Sequence, residues 1–131
     1  MTDSVELMRA WLETFGEGEW DAFPGRIAPD FTLRLPYVPA GVPNEINGRE
    51  AVRERLSASS KGRSRLVFHD VRILRTEDPE LLLTTCRGEA TMANGKPYRN
   101  SYVMLTRIRD GEVLEHTEYL NPLAVIEAMT E

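Results

Sequence analysis

Cysteine is almost missing from this sequence: Cys86 stands alone, which excludes an internal disulfide and any thiolate metal cluster. Histidine is nearly as scarce. His69 and His116 have neither HxH nor HxxxH spacing, so metal chemistry finds no support. Basic charge is outnumbered, with 16 Lys and Arg against 21 Asp and Glu. The resulting net charge of −5 has the wrong sign for a nucleic-acid binder. No apolar run approaches the roughly 20 residues of a membrane-spanning helix. MTDSVELMRA lacks a basic stretch followed by an apolar one, so no secretory signal is expected and a cytoplasmic protein fits. Gly88 and Gly95 form no phosphate-cradling loop, and Cys86 has no catalytic-triad context. Repeats, linkers and low-complexity segments are missing too. What remains is 131 residues, 41% hydrophobic and 28% charged, which predicts one globular domain over 1–131 with a working core.

The pattern along the chain predicts helices first and strands after. Asp3 followed by Glu6 has the form of a capping box, and Leu7, Met8, Trp11, Leu12 and Phe15 then recur at helical spacing until Gly16 and Gly18. A short helix is expected over Trp20–Phe23, a first strand over FTLRL (31–35), and a loop with a small hairpin over PYVPAGVPNEING. Asn47 is placed to cap the next helix, with Ala51, Val52, Arg55 and Leu56 on successive turns. Strands are expected over 65–76, 81–92, 98–109 and 112–120, with Asn94-Gly95 and Asp110-Gly111 as turns. Asn121 and Pro122 then start a last helix over 122–129. This order predicts an α+β domain, a curved and mostly antiparallel six-stranded sheet with helices over its concave face. Such a cone encloses a pocket suited to a small molecule.

One stretch, EHTEYLNPL, puts His116 and Glu118 on one side of a strand, because side chains two apart share a face. By that count they lie with Leu114 and Leu120. The residues leave two readings open: an acid–base pair in an apolar pocket, or two solvated side chains on an open face. His69 shares a face with Val67, Val71 and Ile73 and is either a core or interface histidine or a functional one. Tyr98 and Tyr102 alternate with Asn100 and Met104, which suits a pocket wall and equally a dimer interface.

The stretches INGREAVRE, DVRILRTEDP, TCRGEA, PYRNSY and DGEVLEHTEYLNPL, in that order and at nearly the same spacing, give the C-terminal two-thirds a resemblance to the phenazine-biosynthesis A/B family. The element order resembles the wider nuclear transport factor 2-like superfamily, which includes ketosteroid isomerase and the SnoaL-like polyketide cyclases. The resemblance implies a homodimer without cofactor and a pocket inside the cone. It further implies an acid–base role for Glu118, and pocket positions for Tyr98 and Ser59. The family's pocket histidine aligns with Arg55, which either takes its place, selecting an anionic or carbonyl-bearing substrate, or faces solvent. The arginine before the first strand has only Arg26 near it. The base of ketosteroid isomerase falls on Leu35, and its oxyanion aspartate has no counterpart near Met104.

The expected function is cyclisation, condensation, isomerisation or dehydration of a small hydrophobic or carbonyl compound, in secondary metabolism. Glu118 and His116 are the candidate catalytic groups; Tyr98, Ser59, Arg55, Tyr102 and His69 are the candidate binding residues. Withdrawal of a carboxylate from water is the usual way to make it exchange protons near neutral pH. The competing expectation is a ligand-binding module that keeps the cone without the chemistry. Homodimerisation is expected through the outer sheet face, which carries Thr85, Val103, Leu105 and Tyr119.

Overall fold

A computed structural model describes residues 3–130. In chain order it contains α1 (Ser4–Glu17), a 3-10 turn (Trp20–Ala22), β1 (Arg26–Arg34), β2 (Glu45–Asn47), α2 (Arg49–Ser60), β3 (Val67–Arg75), β4 (Leu81–Thr91), β5 (Pro97–Arg109), β6 (Glu112–Tyr119) and α3 (Pro122–Met129). The strands form one six-stranded sheet ordered β2-β1-β6-β5-β4-β3, antiparallel throughout except for the parallel β1–β6 pair. The expected α+β cone is what the chain forms.

Local chemistry accounts for most element ends. The Asp3 carboxylate accepts from Val5 N–H at the start of α1, and Gly18, left-handed at φ 75°, closes it by donating to the Thr14 carbonyl. Asp110 and Gly111 both have positive φ, 50° and 78°, the geometry of a two-residue I′ hairpin between β5 and β6. The Asn121 side chain accepts from Leu123 N–H, with Pro122 in the first turn of α3.

Two boundaries differ from expectation. β1 begins at Arg26 rather than Phe31, and Pro29 falls in the irregular stretch between Ile27 and Thr32, where loss of one donor is tolerated. α2 is not capped by Asn47. Gly48, at φ 96°, occupies the N-cap position without a side-chain bond, and its N–H donates to the Phe31 carbonyl. Asn47 instead ends β2, where its side-chain oxygen accepts from the Thr32 hydroxyl.

Irregularities in two strands reverse the expected faces. In β6, Arg107 pairs with Glu115 but Ile108 with Val113, so Leu114 is an extra residue. Val113, not Leu114, therefore shares the inner face with His116 and Glu118. In β3, Asp70 is the extra residue, left-handed at φ 52° between the His69–Arg87 and Arg72–Thr85 pairs. Phe68, Val71 and Ile73 then face inward, while His69 turns out.

The core lies between α1, β1 and the inner face of the sheet. Trp11 is its centre, meeting Phe15, Trp20, Phe23 and Phe31 edge-on with ring centroids 4.9–5.6 Å apart. Among the described residues no helix is long and apolar enough to cross a membrane.

Candidate active site

The inner face of the sheet is apolar at its margins and polar along its centre. Thr84, Met104 and Glu118 lie side by side on β4, β5 and β6. The next row is Leu82, Thr106, His116 and, on β1, Leu33. On the other side Cys86 pairs with Tyr102. Glu118 and His116 therefore sit two residues apart on a central strand, both past the bulge, and both are buried: His116 is 0% exposed and Glu118 8%.

His116 Nε2 stands 3.6 Å from Glu118 Oε2, just beyond hydrogen-bond reach. Its other nitrogen, Nδ1, meets the Trp11 indole N–H at 3.3 Å and the Thr106 hydroxyl at 2.8 Å. His116 Nε2 and the Thr84 hydroxyl are buried without a hydrogen-bond partner among the described residues. Buried polar groups normally find one; Trp20 Nε1 and Arg53 Nε are the other two exceptions among the described residues, and only His116 and Thr84 lie on the polar rows of the inner face.

One row away, the Tyr98 and Tyr102 hydroxyls are 2.6 Å apart, and the Asn100 side-chain amide donates to the Tyr98 oxygen at 2.9 Å. Asn100 is itself locked: its amide also donates to the Asn121 carbonyl, and its oxygen accepts from the Ser101 and Asn121 N–H groups. This ties the tyrosine pair to the start of α3. Burial pushes both phenols above their ordinary value, so they remain donors. Gly88, in TCRGEA, makes room for the ring: a Cβ there would lie 2.8 Å from Tyr102 Cε2. Burial, and secondarily the Glu118 charge, push the Cys86 thiol up to about 12, which leaves it inert.

Sequence reasoning missed Arg63. It sits in the turn after α2, and its guanidinium donates to the carbonyls of Phe15, Gly16 and Ser64. Burial lowers its pKa from the ordinary arginine value, while Tyr102, Tyr98 and Glu118, in that order, pull it back up. Nothing in the local KGRSR pattern separates it from Arg65, which is exposed and pairs with Glu17.

The other expected binding residues are placed differently. Ser59 is exposed at the end of α2, so it does not line the inner face; Ser60 instead joins Gly16, Arg63 and Ser64 around a cleft of about 330 Å³. His69 is exposed on the outer face, 3.3 Å from Glu89, because the Asp70 bulge reverses its side. Arg55 is half-buried on α2, and Arg26 reaches the Asp110 carbonyl at the hairpin. The deep end of the cone is packed by Trp11 and Phe15, whose rings lie 6.0 and 5.0 Å from His116.

Comparisons with known proteins agree with this architecture. The chain matches the SnoaL-like domain family over residues 8–116. It is 31% identical over 129 residues to an uncharacterized PhzA/B-like protein of Pseudomonas aeruginosa, covering 97% of this chain and 90% of that one. Among solved structures, a Bacillus subtilis protein provisionally described as an isomerase superposes with TM-score 0.85 at 25% identity, covering 95% of this chain and 90% of that one. IdmH of Streptomyces antibioticus, provisionally a polyketide cyclase, gives TM-score 0.75 at 21% identity over 98% of this chain and 99% of that one. A phenazine biosynthesis-related protein of Pseudomonas aeruginosa gives 0.70 at 19% over 98% and 86%; these last two likenesses carry the fold alone.

Proposed function

The chain belongs to the SnoaL-like family, and on that premise we propose that it is a small-molecule enzyme performing acid–base chemistry on a carbonyl compound inside the cone. The observation that carries this reading is the burial of a carboxylate beside an imidazole, 3.6 Å apart, on the central inner face. Glu118 takes a proton from carbon next to the substrate carbonyl. The Tyr98–Tyr102 pair directs a hydroxyl at the oxygen that becomes negative. His116 donates from its free nitrogen to the carboxylate, and the pair tightens when substrate fills the site. Return of the proton to another carbon gives isomerisation; attack of the carbanion on a second carbonyl gives cyclisation or condensation. Arg63, which is partly buried, is the cation that would favour substrates bearing an anionic group, a role the sequence left open for Arg55. These steps need side chains only.

A binding module remains the competing reading, and one observation favours it: Trp11 and Phe15 occupy the deep end of the cone. Incubation with a panel of cyclic and polyketide-like carbonyl compounds in deuterium oxide separates the two. Catalysed deuterium entry next to the carbonyl supports the enzyme. Saturable binding with no exchange or conversion across the panel supports the module.

We further propose a homodimer through the outer face of the sheet, where Val103 is 41% exposed beside Thr85, Leu105 and Tyr119. Light scattering at micromolar concentration should give twice the 14.9 kDa chain mass; a monomer would end this proposal.

A further inference from the structure

His116 can present either a proton or a lone pair to Glu118, and the choice is made on the far side of its ring. The Trp11 indole N–H lies 3.3 Å from His116 Nδ1 and can only donate. Its direction is fixed, since Phe15, Trp20, Phe23 and Phe31 enclose the indole at 4.9–5.6 Å. A proton on Nδ1 would point that buried N–H at a second N–H. The lone pair must therefore be on Nδ1, shared with the Thr106 hydroxyl at 2.8 Å, which can turn to donate. In neutral imidazole the proton is then on Nε2, the atom that lacks a partner and faces Glu118 Oε2 at 3.6 Å.

We propose that Trp11 is a positioning residue that fixes the tautomer of His116, so that Nε2–H and not a lone pair is presented to the Glu118 carboxylate. A lone pair there would face the carboxylate lone pairs, whereas Nε2–H offers them a donor and leaves the carboxylate free to act as base. The assignment deepens the acid–base reading and rests on it only for this catalytic consequence.

The test is nuclear magnetic resonance of the ¹⁵N-labelled protein across a range of pH, the neutral imidazole being recognised by its unequal ring nitrogen shifts. Long-range ¹H–¹⁵N correlations report which ring nitrogen carries the proton, and His69→Gln assigns the two histidine signals. The wild-type protein should show His116 with its proton on Nε2, and a nitrogen–nitrogen coupling between Trp11 Nε1 and His116 Nδ1. Trp11→Phe keeps a ring in place but removes the donor. It should lower the ratio of Nε2–H to Nδ1–H about tenfold, the scale of one lost buried hydrogen bond. A proton on Nδ1 in the wild-type protein, or an unchanged ratio in Trp11→Phe, would overturn the assignment. If Trp11→Phe does not fold, the wild-type tautomer and coupling decide alone. None of these readouts uses activity. A correct tautomer together with full activity in Glu118→Gln would remove the catalytic reading and leave the positioning intact.

Discussion

Gly88→Ala tests how tightly the tyrosine wall is built. The added methyl would lie 2.8 Å from Tyr102 Cε2 and 3.2 Å from Leu66 Cδ1, with Phe68 Cε1 at 3.6 Å. Carbon atoms prefer roughly 3.5–4.0 Å, so the ring must retreat by more than half an ångström. It has little room to do so: Tyr102 is 4% exposed, meets Phe68 edge-on at 5.9 Å, and its hydroxyl is held 2.6 Å from Tyr98. Overpacking of this kind costs about 1–3 kcal/mol. For a chain of this length that lowers Tm by roughly 3–12 °C. Urea denaturation should show a lower midpoint with an unchanged slope, the sign of lost stability without a change in the surface exposed. In a Tyr102→Leu background, where the ring is gone, Gly88→Ala should cost under about 0.5 kcal/mol, because the two sites are coupled through one contact. An equal cost in both backgrounds, or no cost in the wild-type background, would refute the packing argument.

Glu115, on the outer face of β6, accepts from Arg34 at 3.0 Å and from Arg107 at 3.0 Å. The Arg34 hydrogen bond, then that of Arg107, holds its carboxyl below the ordinary 4.5. A depressed folded value means the contribution is present above pH 4.5 and is lost as pH falls through the folded value. Because its side chain is 33% exposed, Glu115→Gln should cost only about 1 kcal/mol near neutral pH in denaturant unfolding, and the gap to wild type should close in acid. Cys86, buried and with its thiol pushed up to about 12, should resist thiol reagents at neutral pH in the native protein and react only after unfolding. Prompt native labelling would contradict the packed inner face. Replacement of Arg63 by Met should weaken binding of anionic members of the carbonyl panel at least about tenfold relative to neutral ones. Equal losses for both would reduce Arg63 to a brace for the end of α1.

Much of the scaffold is legible in the residues. Asp110-Gly111 specifies its hairpin because few other pairs accept two positive φ angles, and Asn121-Pro122 specifies the start of α3. Glu118 and His116 were legible as a same-face pair because no irregularity separates them. Which neighbours share that face was not. A single extra residue, Leu114 in β6 or Asp70 in β3, reverses every side chain beyond it, and neither carries a glycine or proline to mark it. That is why Leu114 and His69 fall on the wrong sides when alternation alone is counted. Ser59, expected in the pocket from the family resemblance alone, lies in the last turn of α2 with its side chain exposed, a facing that no local pattern of its own records. Arg63 and Trp11 matter through contacts with residues far away in sequence, 48 and 105 positions in two cases, which no local pattern records.

The most direct measurement compares deuterium exchange into an active carbonyl compound by wild-type, Glu118→Gln and Glu112→Gln proteins. Glu112 starts the same strand at its opposite end and lies apart from the polar row, so it serves as the control. Glu118→Gln keeps the shape of the side chain and removes its ability to carry the proton. Exchange should fall roughly 100-fold or more in Glu118→Gln, the scale for losing a general acid–base group, with Glu112→Gln close to wild type. Folding stability of Glu118→Gln should be unchanged or slightly higher, since a buried charge gives way to a neutral amide. Equal exchange rates in all three proteins would contradict the assignment of Glu118 as the proton carrier.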